Sequence, residues 1–253
     1  MNILIRKRQQ DLIRAFVKKT QLGCEVIELG CGDGSNLESL SQVDLRGHGY
    51  DISEKALDIA RNKKIKGFTT AKGDLFNLDI ADKGLVLLLL TLEHLQDDVL
   101  ALKKINSYLR NEGWFILSVP AHPKKYSCQD KIAGHLRRYD RNQIRKLLIE
   151  NGFCVKEILS FGFPLNNVVT NCYNFFLKIL GAAVTVQTCN TTLTGIAGYR
   201  QHFPAGLRQL SYIAFPVLSA LRKLDGPFLN TDLGTHYLVF AQKIMVCFNI
   251  TDR

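Results

Sequence analysis

The chain contains no apolar run long enough to cross a bilayer. Its longest, around residues 85–92 and 175–186, fall well short of the roughly 20 residues a spanning helix needs. The N-terminal MNILIRKRQQDLIRAF has no apolar stretch of signal-peptide length. No segment repeats at a fixed period, which excludes solenoids and propellers. The seven cysteines (Cys24, Cys31, Cys128, Cys154, Cys172, Cys189 and Cys247) lack the close spacing of a zinc or redox site. No metal ligand set is therefore expected, and the thiols read as reduced and mostly buried in a reducing cytosol. The glycosylation triplet Asn190-Thr191-Thr192 would go unused there. Acidic residues are also short, 23 against 33 Lys and Arg, for a net charge of +10. That excess favours anionic partners such as nucleic acid, phosphorylated metabolites or an anionic membrane surface, or else serves solubility alone.

What remains is ordinary for a soluble α/β protein. The 253 residues, 46% hydrophobic and 22% charged, suffice for one domain with a sizeable core. Basic and apolar residues alternate at helical spacing over 4–19, predicting an amphipathic first helix. CEVIEL (24–29) reads as a buried strand running into a glycine turn, and SNLESLSQ (35–42) as a helix. RGHGYDI (46–52) is a second strand, followed by a helix to Asn62 with Ser53 as N-cap. GFTTAKG (67–73), GLVLLLL (84–90) and GWFILSVP (113–120) are three more strands, with a helix over 97–109 before the last. Asp140 and Gln143 form a capping box opening a helix over 140–151. FCVKEILSF (153–161) is a sixth strand, and the alternation of THYLVFAQKI (235–244) predicts an antiparallel strand in the edge region. Strand and helix alternating this often predict a mostly parallel sheet covered on both faces, an α/β Rossmann-like architecture.

Between the last two strands lie some seventy residues without strand character, too many for a plain loop. Helical patterns at 165–185 and 205–224 predict a helical insertion. The expected organisation is a core over 1–161, an insertion over 162–233, and a last strand with tail over 234–253. The insertion carries Tyr173, Phe175 and Phe176 and the basic Arg208, Arg222 and Lys223. It suits a substrate lid, a membrane-surface contact, a subunit contact or a plain packed helix pair.

The sharpest motif is VIELGCGDGSNL (26–37). Gly30, Gly32 and Gly34 follow the first strand and open a helix, where a Cβ would obstruct a ligand. A dinucleotide fingerprint requires glycine where Ser35 stands, which disfavours a nicotinamide dehydrogenase. Asp51 ends the second strand, placed to accept from two ribose hydroxyls or, alternatively, to cap the next helix. Asp74 ends the third, placed to accept from an adenine amino group or to make a turn. His94, just past the fourth strand, is the leading general base, since its ordinary pKa lies near neutrality; its other reading is a packing residue. Glu93 reads as an orienting group. His122, His135 and Tyr139 follow the fifth strand, where substrate loops gather in open α/β sheets. Arg137 and Arg138 could clamp an anionic group or form a solvated face.

ELGCGDG, Asp51, GDL (73–75), LLLLTLEHLQDD (87–98) and LRNEGWFILSVP (109–120), in this order, resemble successive motifs of class I S-adenosylmethionine-dependent methyltransferases, over about residues 22–161. GHLRRYDRNQIRKLLIENGF (134–153) further resembles the small-molecule and lipid branch related to ubiquinone-biosynthesis enzymes. The resemblance implies a seven-stranded sheet with an antiparallel last strand. It also implies S-adenosylmethionine as cofactor, held by Glu28, Gly30, Gly32, Gly34, Asp51, Ile52, Asp74, Leu75 and Leu90. Two positions depart from it: Gly84 replaces an acidic residue, and Leu90 stands where polar residues are common. The expected function is methyl transfer to an apolar, lipid-like or glycan-linked small molecule in the cytoplasm, with peripheral membrane contact as a further expectation. The alternatives are an RNA or protein methyltransferase, favoured by the charge, and a non-catalytic methyltransferase-like subunit. Nucleic acid is disfavoured by the missing Asn/Asp-Pro-Pro-aromatic motif and the lack of an appended RNA-binding module.

Overall fold

The computed structural model describes residues 3–168 and 220–245. Helix α1 (Ile3–Thr20) precedes β1 (Val26–Leu29), α2 (Ser35–Ser41), β2 (Gly47–Asp51), α3 (Glu54–Asn62) and β3 (Phe68–Lys72). Then come β4 (Lys83–Leu89), α4 (Asp98–Tyr108), β5 (Leu109–Pro120), α5 (Cys128–Ala133), α6 (Arg141–Glu150), β6 (Phe153–Phe161) and β7 (His236–Lys243). The seven strands form one sheet in the order β3-β2-β1-β4-β5-β7-β6. Pairing is parallel from β3 through β5, and β7 runs antiparallel to both neighbours. The expected Rossmann-like α/β sheet is therefore present.

Side-chain alternation explains the layering. On β4, Leu85, Leu87 and Leu89 join α1 in one core, while Val86 and Leu88 join the α4 and α6 residues Leu102, Ile105, Ile144 and Leu148 in the other. A strand apolar on both faces must be covered on both, which is why GLVLLLL carries no polar alternation. The predicted caps are in place: the Ser53 hydroxyl accepts from Ala56 N, and Asp140 pairs with Gln143 in a capping box.

Several expectations need correction. β7 is antiparallel and next to the sheet edge, as expected, but β6 lies outside it, and Tyr237 to Ala241 are all buried between the two cores. β5 starts at Leu109, which pairs with Lys83; the ladder then slips before Trp114 meets Leu85, and Glu112 adopts a φ of 58°. Helix α5 was not anticipated; Ser127 and Asp130 cap its start and the left-handed Gly134 closes it. Of the described thiols, Cys31 is buried, Cys24 half-buried and Cys154 exposed on the edge strand. Within the expected insertion, Arg222–Phe228 form a 3-10 helix rather than the end of an α-helix. Tyr173, Phe175, Phe176 and Arg208 lie outside the described residues, as does most of the insertion. Among the described residues no helix is long and apolar enough to cross a membrane.

Candidate active site

The glycine turn sits at the C-terminal end of β1, where ligands bind in open α/β sheets. Gly30, Gly32 and Gly34 have φ of 74°, 53° and 70°, a region L side chains rarely enter. A Cβ on Gly30 would stand 2.4 Å from the Thr91 hydroxyl oxygen, so the loop after β4 closes directly against the turn. A Cβ on Gly34 would stand 2.8 Å from Ile65. Asp51 orders this turn: one carboxylate oxygen accepts from Gly32 N at 2.7 Å and the other from Ser53 N at 2.8 Å. Both readings of Asp51 are thus compatible with its position, since each oxygen keeps a further lone pair. Ile52 beside it is 71% exposed, an apolar side chain held in solvent at the turn.

Beneath the turn, Glu28 is fully buried on β1. One oxygen accepts from the Asn36 side-chain amide at 2.7 Å, and the other has no partner. Burial pushes its pKa up to about 8, opposed by the Asn36 bond and aided by Asp33 and Asp51. From α1, Arg6 reaches the turn, bonding Asp33 at 3.0 Å and Ser35 at 2.9 Å. Asp74, exposed past β3, accepts from Phe76 N at 3.0 Å, with Leu75 buried beside it. Leu90 has a φ of 52°, and its N–H bonds Ser118 O at 2.9 Å; it contributes backbone geometry at the β4 exit. Gly84 also has a steric reason: a Cβ there would lie 2.6 Å from that of Cys24, leaving no room for the acidic side chain expected at this place.

These features fit S-adenosylmethionine: a turn with glycine at every second position, an anchored carboxylate on the neighbouring strand, and an exposed apolar residue. A separate cavity of about 440 Å³ lies by the N-terminal ends of β1 and β4, lined by Gln21, Cys24, Glu25, Lys83 and Arg110. It is at the wrong end of the strands to serve this turn.

A second cluster gathers past β4 and β5. His94 is exposed, its Nδ1 lies 3.0 Å from Gly134 O, and its ring meets that of His135 edge-on at 4.9 Å. Desolvation, then His135, hold its pKa below the usual histidine value. His135 Nδ1 lies 2.9 Å from Asp130 Oδ1, and its Nε2 lies 3.9 Å from Glu93 Oε1. Glu93 is fully buried without a hydrogen-bond partner for either carboxyl oxygen. Burial pushes its pKa up to about 8, with only partial relief from its own backbone and Arg138. Asp130, buried yet bonded by His135, Arg138 and Ser127, is held well below the usual carboxylate range. His236 borders the same groups; burial, then Arg138 and His135, push it down to about 3.

The weaker substrate candidates separate. His135 joins His94. His122 does not: its Nε2 contacts Gly234 O at 2.9 Å, tying the β5 exit to the start of β7. Tyr139 is fully buried in the core with its hydroxyl on Asp98, so it has no acceptor-facing group. Arg138 is engaged by Asp130 and Ala121 O, and Arg137 by Asp98 and Gln96 O; neither is the free clamp expected. Asp130 escaped the sequence reading because its partner His135 lies beyond a helix with no apolar periodicity to announce it. Arg222 is likewise not a free surface cation, since it pairs with Asp11 of α1 at 2.8 Å.

Comparison with known proteins completes the picture. The family model described as "Methyltransferase domain" matches residues 2–158. No curated protein matches the chain in sequence. Many solved structures share the fold. Magnesium protoporphyrin IX methyltransferase from Synechocystis, with bound SAH, is 24% identical, covering 60% of this chain and 75% of that one at a TM-score of 0.52. An S-adenosylmethionine-dependent methyltransferase from Mesorhizobium loti is 17% identical, covering 87% and 91% at 0.53. The [4+2]-cyclase SpnF is 17% identical, covering 94% and 81% at 0.57. With the family model spanning well over half of it, this chain belongs to the methyltransferase-domain family and is an S-adenosylmethionine-dependent methyltransferase of class I.

Proposed function

We propose that the chain methylates a small molecule with an apolar or lipid-like body, presented across the C-terminal ends of β4 and β5. The observation that carries this reading is the imidazole pair His94 and His135, set just past β4 on the strand end that bears the glycine turn. The sulfonium of the bound cofactor makes its methyl electrophilic, which leaves the protein two tasks, alignment and removal of one acceptor proton. Glu28, Gly30, Gly32, Gly34, Asp51, Ile52, Asp74, Leu75 and the Leu90 backbone hold the cofactor. His94 takes the acceptor's proton: its pKa, lowered from the usual value, keeps the ring unprotonated at neutral pH. His135, oriented by Asp130, supports it. The segment 162–233 is the proposed source of acceptor contacts; among its described residues, the Gly162 N–H donates to Asp225.

The test is transfer of radiolabelled methyl from the cofactor to fractionated lipids, metabolites, RNA and protein of the source cell. Label in the lipid or metabolite fractions is the expected result. Label confined to RNA or protein would overturn the small-molecule reading in favour of the partner class the +10 charge suits. Fold likeness alone does not decide this, since a cyclase shares it.

A further inference from the structure

Glu93 is fully buried, and neither of its carboxyl oxygens has a hydrogen-bond partner. A carboxyl group is rarely left in that state unless something else completes it. One oxygen of Glu93 and one ring nitrogen each of His94 and His135 lie within 4.8 Å of one another. Each histidine has a hydrogen-bond partner on its Nδ1. The carbonyl of Gly134 can only accept, so His94 Nδ1 donates to it at 3.0 Å. The Asp130 carboxylate likewise accepts from His135 Nδ1–H at 2.9 Å, leaving Nε2 with its lone pair 3.9 Å from Glu93 Oε1. Histidine ligands are commonly held this way, by a carboxylate or a carbonyl on the far nitrogen.

We propose that Glu93, His94 and His135 bind a divalent first-row transition cation such as zinc. Two imidazoles and one carboxylate are the donor set such ions take, with positions left open for water or an acceptor oxygen; magnesium and calcium take oxygen donors. The local charge suits a dication. Asp130 brings one negative charge and Glu93 a second once a cation displaces its proton, while Arg138 is engaged by Asp130 at 2.8 Å. His236 stands at the same edge with its Nδ1 on the Thr235 hydroxyl. The three donors are spread wider than in a filled site, so a bound ion would draw them together. Sequence spacing could not reveal this set, because Glu93 and His94 are adjacent while His135 comes from beyond β5 and α5.

The inference rests on the proposed function only for its consequence, that a bound cation would lower the pKa of an acceptor hydroxyl in place of a free imidazole. The experiment titrates chelator-stripped full-length protein with zinc chloride in a calorimeter, and separately with cobalt(II) by visible absorption. One zinc per chain is expected. Glu93→Gln, His94→Ala and His135→Ala should each weaken it by more than about 100-fold, and Asp130→Asn by about 10–100-fold. Because His94 is exposed, its replacement keeps the test valid should a buried variant fail to fold. S-adenosylmethionine affinity serves as the folding control for each. Absence of zinc binding, or equal affinity in the parent and His94→Ala, overturns the inference. Methyl transfer at full rate by stripped protein without zinc binding would leave the proposed function standing alone. The expected zinc pattern without methyl transfer to any fraction would sink the proposed function and keep the site.

Discussion

Replacing Glu28 by glutamine should make the protein more stable, and increasingly so as pH rises. Glu28 is fully buried, with one oxygen on Asn36 and the other unpartnered. Its folded pKa of about 8 lies above the ordinary 4.5. The folded state therefore retains a proton that the unfolded chain releases. The group's contribution is fully present below about pH 4.5 and is lost as pH rises through about 8. At about 1.4 kcal/mol per pH unit the whole span is worth about 5 kcal/mol, and about 3 kcal/mol of it is gone by pH 7. Glutamine keeps an oxygen to accept from Asn36 and has no proton to lose. Denaturant melts of parent and Glu28→Gln at intervals between pH 5 and 9 measure the difference directly. The gap should be small at pH 5 and widen to a few kcal/mol by pH 8.5. A gap that stays constant with pH would show that Glu28 is ionised in the folded protein and that burial does not govern it.

Other expectations concern the site and the seams around it. Asp51→Ala should weaken S-adenosylmethionine binding by about 1–3 kcal/mol in calorimetry, since it removes charged acceptors and frees the Gly32 and Ser53 amides; unchanged affinity would refute its place at the ribose. His94→Ala should retain cofactor affinity while slowing methyl transfer by about 10²–10⁴-fold in a single-turnover assay, and an unslowed variant would leave alignment as the whole mechanism. Gly30→Ala should abolish cofactor binding and lower the melting temperature, because its Cβ meets the Thr91 hydroxyl on a backbone at φ 74°; normal binding would mean the turn has slack. Asp225→Ala should cost about 3–5 kcal/mol in denaturant melts by leaving the buried Arg8 without its 2.6 Å partner, and a cost under 1 kcal/mol would show that water replaces it.

The glycine turn and the carboxylates at the strand ends were legible because their determinants are local. Gly30, Gly32 and Gly34 lie within five residues, and Asp51 and Asp74 mark strand ends that apolar runs betray. The cluster past β4 and β5 was legible only in part. His94 lies just past β4 as expected, but Asp130 gave no sign of holding His135, and the substrate candidates Tyr139 and Arg138 are claimed by packing and by Asp130. The same limit explains β7. Alternation shows that a strand exists and is antiparallel, yet whether it ends a sheet or enters one depends on whether β5 and β6 leave room between them. Long-range pairs such as Arg8 with Asp225 leave no local pattern, so α1 read as a plain amphipathic helix although it carries a buried arginine.

The insertion of β7 between β5 and β6 also bears on how the chain is made. Synthesis is vectorial, so β5 and β6 leave the ribosome long before residues 236–243 exist to join them. Until then Ile116, Leu117 and Val119 of β5 stand beside an open edge, and β6 has no strand to dock on. A nascent or prematurely terminated chain would carry two unpaired hydrogen-bonding edges flanked by apolar side chains, the arrangement most prone to pairing with another chain. Completion of the sheet thus waits for residues 236–243, and until they arrive both edges stand open to pairing with another chain.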